Sequence, residues 1–132
     1  MAASHVLVVD DIKDARVLMR LMLSTKGGFV VSEASSGREA LTAIKENRPD
    51  AIVLDYMMPD LDGAEVCRII RATPEIADVP ILVLTARVDP GIQEKVLAAG
   101  ANSFLPKPVK PDDLVNEVMR LIAQTQHTHS EG

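Results

Sequence analysis

Short, mostly apolar runs alternate along this chain with segments whose apolar residues recur at helical spacing. The runs cover residues 5–9, 29–31, 52–54 and 79–84, and residues 102–105, Asn-Ser-Phe-Leu, are a weaker fifth candidate. Strands exposed to water on one face alternate polar and apolar residues, whereas uninterrupted apolar strands are typical of parallel sheets covered on both faces. Five such runs alternating with five helical segments predict an α/β fold with a doubly wound, five-stranded parallel sheet. Five strands are too few for an eight-stranded barrel.

Helix-breaking and capping residues separate the predicted elements. Gly27-Gly28 breaks the first helix, and Ser36 with Glu39 three residues later fits a capping box at the start of the second. Pro90 suits the first turn of the fourth helix, and Gly100 suits its C-terminal end. These signals place a helix after each predicted strand.

Length and composition limit the class of protein. The 132 residues predict one domain, which we place at residues 4–124. Residues 125–132 carry no aliphatic side chain and are predicted to form a disordered tail. The alternative that part of this tail derives from cloning stays open. The chain is 47% hydrophobic but only 2% aromatic, so its core must be aliphatic. The net charge of -5, without a basic cluster, argues against direct nucleic-acid binding.

The remaining global features favour a cytoplasmic protein. Cys67 is the single cysteine, so no internal disulfide can form, and its place on the apolar side of a predicted helix favours inert packing. No segment approaches the roughly 18 apolar residues that a membrane helix needs. The first four residues do not resemble a signal peptide. We therefore expect a cytoplasmic location and no membrane contact.

Polar residues follow four of the predicted strands. Asp10 and Asp11 follow the first strand, Asp55 the third, Thr85 the fourth and Lys107 the fifth. Taken singly, each has a simpler explanation: a helix cap, a turn residue or a solvated loop charge. The carboxyl ends of parallel strands lie at one edge of the sheet, where open α/β sheets bind ligands. We therefore expect these side chains to meet.

Their chemistry predicts a cation and an anion at the same edge. Three neighbouring carboxylates repel one another, and a bound cation relieves the repulsion. An all-oxygen site suits Mg²⁺, with Mn²⁺ as a second candidate. The absence of His and Cys from these strand ends argues against zinc. Asp55 is then a candidate nucleophile that forms an acyl phosphate, with Lys107 and Thr85 beside the transferred group.

At this point the chain resembles the receiver domain of bacterial two-component response regulators, over residues 6–122. The matching motifs are Val8-Val9-Asp10-Asp11, Leu54-Asp55 with Met58-Pro59 and Gly63, Leu84-Thr85-Ala86, Gly100-Ala101, and Phe104 with Lys107-Pro108. The resemblance implies a flavodoxin-like sheet of order 2-1-3-4-5, with the site between the first and third strands.

The resemblance also implies a phosphorylation-dependent signalling switch rather than a turnover enzyme. Asp55 would accept a phosphoryl group from a phosphohistidine of a sensor histidine kinase or a histidine phosphotransfer protein. Asp11, Asp55 and the Met57 carbonyl would bind Mg²⁺, with Asp10 acting mainly through water. The phosphorylated domain would then control an output domain or a partner.

Other roles carried over by resemblance concern the last two strand ends. Lys107 and Thr85 would contact the phosphoryl oxygens, the backbone of Ala86 would donate to them, and the Lys107–Pro108 peptide would be cis. Thr85 and Phe104 would couple phosphorylation to the surface. Many relatives have Tyr where this chain has Phe104, so that coupling must be steric; a Phe104 fixed in the core is the alternative.

Two further positions are predicted to set the lifetime of the phosphorylated state. They are Met57, two residues after Asp55, and Arg87, two residues after Thr85. The side chain of Met57 has no donor or acceptor that orients water strongly. We therefore expect slow dephosphorylation.

Three other classes of protein share part of this pattern. A haloacid-dehalogenase-type phosphatase needs an acid two residues after its nucleophile, where this chain has Met57. A dinucleotide-binding protein needs a glycine-rich motif after the first strand, which is missing. A phosphorylation-independent interaction module with the same fold stays open, although the joint presence of Asp10, Asp55 and Lys107 opposes it.

The sequence does not specify which output domain or partner the receiver would control. No recognisable output motif follows Ile122, so the chain is either a stand-alone receiver or part of a longer regulator or hybrid kinase. Apolar residues of the last two helices are expected to lie mainly in the core, and a homodimer or partner face is the alternative. These residues are Ile92, Val96, Leu114 and Val118.

Overall fold

One parallel sheet flanked by helices on both faces forms the framework of the computed structural model, which describes residues 3–86 and 89–131, with side chains up to Thr125. The strands are β1 His5–Val9, β2 Val30–Ala34, β3 Ala51–Asp55, β4 Ile81–Thr85 and β5 Ser103–Pro106. The helices are α1 Lys13–Gly27, α2 Gly37–Glu46, α3 Gly63–Arg71, α4 Pro90–Ala98 and α5 Pro111–Glu131, with a 3-10 turn at Pro74–Ile76. The strand order β2-β1-β3-β4-β5 confirms the predicted fold.

The edge strand β2 differs most from its predicted position. The apolar run 29–31 predicted a short strand, whereas β2 pairs with β1 from Val30 to Ala34. Its second half includes Ser32 and Glu33, which interrupt the apolar pattern. An edge strand is partly exposed to water and tolerates polar residues, so the apolar run marks only part of it.

Two aliphatic cores lie on opposite faces of the sheet. Successive residues of a strand point to opposite faces, so Val8 and Leu84 pack with α1 and α5, whereas Leu54 and Val83 pack with α2, α3 and α4. Cys67 is completely buried in the second core, and burial raises the pKa of its thiol to about 11. The thiol is therefore protonated at neutral pH, as expected for a packing residue.

The apolar residues considered for a partner face belong mainly to the core. Val96, Leu114 and Val118 are completely buried, and Ile92 is half-buried. Completely buried side chains contribute no exposed apolar area to a dimer. The homodimer therefore stays a hypothesis, and of these four residues only Ile92 has side-chain surface to offer it.

Helix ends combine predicted and unpredicted caps. Ser36 Oγ accepts a hydrogen bond from the Glu39 amide at 3.1 Å, as the capping box predicts. The Glu39 carboxylate, however, reaches the backbone and hydroxyl of Ser35 rather than the backbone of Ser36. A complete capping box, not predicted, links Asp62 and Glu65 at the start of α3. It fixes the helix that follows the Asp55 strand.

The last helix continues beyond the predicted domain boundary at residue 124. The backbone of α5 is helical as far as Glu131, although residues 125–132 were predicted to be disordered. No glycine or proline interrupts the chain between Pro111 and Gly132, so no local signal ends the helix earlier. The domain boundary itself stays a prediction. None of the helices in the described part of the chain is both long enough and apolar enough to cross a membrane.

Candidate functional site

Three carboxylates converge where β1 and β3 end. Val9 pairs with Leu54, so the turn after β1 lies level with the last residue of β3. Asp10, Asp11 and Asp55 each place one carboxylate oxygen within 4.8 Å of the other two. Asp10 and Asp55 are buried, whereas Asp11 is exposed. An oxygen-only cluster open to solvent on one side suits a hard, partly hydrated cation such as Mg²⁺.

Lys107 provides the positive charge of the site. Its Nζ lies 3.0 Å from Asp55 Oδ1 and 3.1 Å from Asp10 Oδ2. The residue follows β5, and its backbone amide donates to the carbonyl of Thr85 at 2.9 Å. The Lys107–Pro108 peptide is cis, as the resemblance implied. The lysine therefore reaches from the end of edge strand β5, past β4, to the acidic residues that end β1 and β3.

The environment shifts the pKa of both partners upward. Burial raises the pKa of Asp55; the hydrogen bond and charge of Lys107 oppose this rise, and the charges of Asp10 and Asp11 add to it. Burial acts to lower the pKa of Lys107, but its hydrogen bonds and charge interactions with Asp55 and Asp10 outweigh burial and raise it. The site thus disfavours the ionised form of Asp55 and keeps Lys107 protonated. Binding of a further cation beside the carboxylates would therefore be favoured.

The other predicted contacts lie along the same edge. Thr85 ends β4 and is buried, and Ala86 follows it on the surface. Phe104 pairs with Val83 in the sheet, is half-buried and packs against the core on the α2–α4 face. It lies within β5, three residues before Lys107. Arg87 lies outside the described residues.

Met57 lies in the loop that follows Asp55. Its side chain is 59% exposed and lines a groove of about 560 Å³ between the β3–α3 loop and α4. On the opposite wall, Lys95 lies 3.6 Å from Asp62 and 5.9 Å from the centre of the Tyr56 ring. The side chain of Met57 thus faces solvent along this groove.

Asp60 anchors the loop that follows Asp55, and sequence reasoning missed it. Its carboxylate accepts hydrogen bonds from the amides of Gly37 at 3.1 Å and Arg38 at 3.0 Å, at the start of α2. Burial acts to raise the pKa of Asp60, but the amides of Arg38 and Gly37 outweigh it and lower the pKa. No local signal marks this role, because its partners are backbone groups more than 20 residues away.

Comparisons with known proteins agree with this geometry. The family model described as the response regulator receiver domain matches residues 6–119. Response regulator MprA of Mycolicibacterium vanbaalenii is 48% identical over 130 residues, covering 97% of this chain and 54% of the relative. The chain thus spans about half the length of the curated relatives it matches.

Solved structures show the same fold. A putative response regulator from Chloroflexus aurantiacus is 37% identical with a TM-score of 0.88, covering 92% of this chain and 99% of the other. The receiver domain of a sensor histidine kinase from Pseudomonas aeruginosa is 34% identical with a TM-score of 0.84, covering 92% and 99%. That structure has a magnesium ion coordinated in its active-site cleft.

The fold, the acidic residues at the strand ends and the match to the family model together define a receiver domain of two-component signalling. The chain belongs to the response regulator receiver domain family.

Proposed function

We propose that this domain is a phosphorylation-dependent switch in which Asp55 accepts a phosphoryl group from a phosphohistidine. The observation that carries the proposal is the contact of one ammonium, that of Lys107, with both Asp55 and Asp10 inside a cluster of three carboxylates. A nucleophilic carboxylate and a cation for the incoming oxygens are thereby held together before any phosphoryl group arrives.

The carboxylates fit Mg²⁺, or Mn²⁺ as a second candidate. Asp11 and Asp55 would hold the ion with the Met57 carbonyl, and Asp10 would act mainly through water. The burial of Asp10 and its contact with Lys107 support this secondary role. When bound, the ion would neutralise charge on the phosphoryl oxygens. The oxygen-only donor set and the raised pKa of Asp55 support a cation at this place.

The remaining residues would orient the group and pass the signal on. Lys107 would pair with phosphoryl oxygens, and the Thr85 hydroxyl and the Ala86 amide would donate hydrogen bonds to them. Movement of Thr85 toward the group would open space beside Phe104. The half-buried position of Phe104 is compatible with such a rearrangement, which must be steric because the ring has no hydroxyl.

The proposed partner is a sensor histidine kinase or a histidine phosphotransfer protein. The proposed location of their interaction is the cytoplasm. The domain would catalyse its own phosphorylation and slow dephosphorylation without being a turnover enzyme. Regulation of an attached output domain or a separate partner belongs to the same proposal. The curated relatives are matched over only about half of their length, which supports a receiver that acts on an attached output domain.

Substitution of Asp55 tests the acceptor. Incubation with a small acyl or amidophosphate donor and Mg²⁺ should raise the intact mass of the protein by one phosphoryl group. Asp55→Asn should abolish this adduct, because an amide does not supply the carboxylate nucleophile. Asp14→Asn, which replaces an exposed acid in α1, is the control and should still be phosphorylated. An unmodified wild-type protein would instead support the phosphorylation-independent interaction module.

Substitution of Met57 tests the lifetime of the phosphorylated state. Met57→Asn should speed dephosphorylation by about tenfold, less than a positioned general base provides, because an amide only orients water. Loss of the mass adduct over time measures the rate. Met119→Asn, at a position 50% exposed on α5, is the matched control and should change nothing. An unchanged rate in Met57→Asn would remove the argument for this position.

A further inference from the structure

We infer that Arg16 is a positioning residue for the metal site, acting on Asp11 through the backbone of Asp10. The inference rests on the proposed function, because the role concerns Mg²⁺ binding. Arg16 lies in the first turn of α1, and its side chain is only 15% exposed. Its guanidinium therefore does not act as an ordinary solvated charge.

The guanidinium joins the β1–α1 turn to the edge strand. Arg16 Nη1 donates to the carbonyl oxygen of Asp10 at 2.9 Å, and Nε donates to Glu33 Oε1 at 3.2 Å. Arg20 Nη1 donates to the other oxygen of Glu33 at 3.0 Å. Glu33 thus orients Arg16 toward the turn, whereas the more exposed Arg20 only meets the outer oxygen of Glu33 from the solvent side, where an ion pair contributes little.

Other bonds hold the remaining groups of Asp10. Its amide donates to the carbonyl of Ala34 at 3.2 Å, and its carboxylate accepts from the amide of Ile12 at 2.9 Å and from Lys107. Arg16 supplies the bond to the carbonyl. The residue at the N-cap of α1, Ile12, makes no side-chain cap. The turn therefore depends on these bonds rather than on a standard helix cap.

Holding this carbonyl matters for Asp11. The Asp10 carbonyl and the Asp11 amide belong to one planar peptide unit, so the bond from Arg16 fixes the orientation at which the chain enters Asp11. Asp11 is exposed, so packing does not hold its side chain. The backbone that Arg16 restrains therefore sets the position from which the Asp11 carboxylate reaches toward Asp55.

Charge and position make opposite predictions for the loss of Arg16. Removing a positive charge near three carboxylates would, by electrostatics alone, strengthen Mg²⁺ binding. Releasing the Asp10–Asp11 peptide would weaken it, because the ligand would have to be ordered during binding. Groups that orient metal ligands typically change affinity 10- to 100-fold when they are substituted. We expect Arg16→Met to weaken Mg²⁺ binding about tenfold, the lower end of that range.

The test compares Mg²⁺ dissociation constants of wild type, Arg16→Met and Arg20→Met by calorimetry. Fluorescence of Tyr56, the only tyrosine and adjacent to Asp55, gives a second reading because the chain has no tryptophan. Arg20→Met is the matched control: it loses a contact with the same Glu33 but none with Asp10, so its affinity should stay within about twofold of wild type. Affinity of Arg16→Met within twofold of wild type, or tighter, would overturn the inference, even if its melting temperature fell.

Two more variants keep the result decisive. Arg16→Lys preserves the charge but lacks the planar fork that reaches two acceptors at once, so it should not restore the affinity; full restoration would overturn the inference. Glu33→Gln weakens the anchor of Arg16 and should weaken Mg²⁺ binding in the same direction, which decides the matter if Arg16→Met does not fold. If wild type itself bound no Mg²⁺, the proposed function would fail first, and this inference with it.

Discussion

Replacing Lys107 with methionine is expected to lower the free energy of unfolding of the metal-free domain by about 3 kcal/mol while tightening Mg²⁺ binding. Asp10 is completely buried and Asp55 is nearly so, and both lose their ammonium partner in this variant. Two buried carboxylates without a cation repel each other and are poorly solvated. A metal ion then has more charge to neutralise, so its affinity rises as the stability of the empty domain falls.

Urea unfolding of Lys107→Met with and without Mg²⁺ measures both effects. Excess Mg²⁺ should recover much of the lost stability, since a ligand at 100 times its dissociation constant stabilises by about 2.7 kcal/mol. Lys26→Met is the control, because Lys26 pairs with Asp112 where both side chains are more than half exposed. Such surface pairs contribute little. Unchanged stability in Lys107→Met, or weaker Mg²⁺ binding, would contradict the bridging role.

Arg71→Met is expected to destabilise the domain by about 3 kcal/mol without touching the site. The guanidinium donates to the carbonyls of Gly100 at 2.9 Å, Ala77 at 2.8 Å and Val79 at 2.7 Å, and to Asn102 Oδ1 at 2.8 Å. It thus connects the end of α3 to the segments that lead into β4 and β5. Methionine fills similar volume but leaves all four acceptors without this donor.

The surrounding chain is built closely around this arginine. Gly100 has φ 115°, and a Cβ added there would lie 2.5 Å from Arg71 Cγ, so the glycine serves both the turn and the contact. Burial lowers the pKa of Arg71, opposed in part by the charge of Asp78, but an arginine stays protonated at neutral pH. Its four bonds are therefore present throughout the physiological range.

Chemical denaturation of Arg71→Met compared with Arg68→Met checks this prediction. Arg68 lies on the same helix but is exposed, so its substitution should leave the denaturation midpoint nearly unchanged. Folded Arg71→Met should still accept a phosphoryl group, since the residue lies at the opposite end of β4 from Thr85. A loss below about 1 kcal/mol would mean that water replaces the arginine's bonds at little cost.

The strands could be predicted because burial leaves a direct pattern in the sequence. The central strands are covered on both faces and therefore show continuous apolar runs. The edge strand β2 was predicted too short, because Ser32 and Glu33 are tolerated where one side meets water. The polar strand ends were equally visible, since a charged residue after a buried run stands out. The structure brings the predicted site residues Asp10, Asp55 and Lys107 into direct contact.

The supporting contacts could not be predicted in the same way. Arg71 acts mainly on backbone carbonyls, Arg16 reaches the backbone carbonyl of Asp10, and Asp60 acts on backbone amides. Every residue carries these backbone groups, so the partner leaves no mark in the sequence. Which carbonyl meets which arginine depends on how the loops pack after the sheet has formed.

By itself the sequence determined the alternation of strands and helices and the type of polar residue at each strand end. Both follow from local rules, namely the spacing of apolar side chains and the residues that start helices. Only the tertiary structure decided that Asp10 is buried against Lys107 while its neighbour Asp11 faces solvent. The physical reason is that adjacent residues at a strand end point in different directions, and only the packed neighbours determine which direction is enclosed.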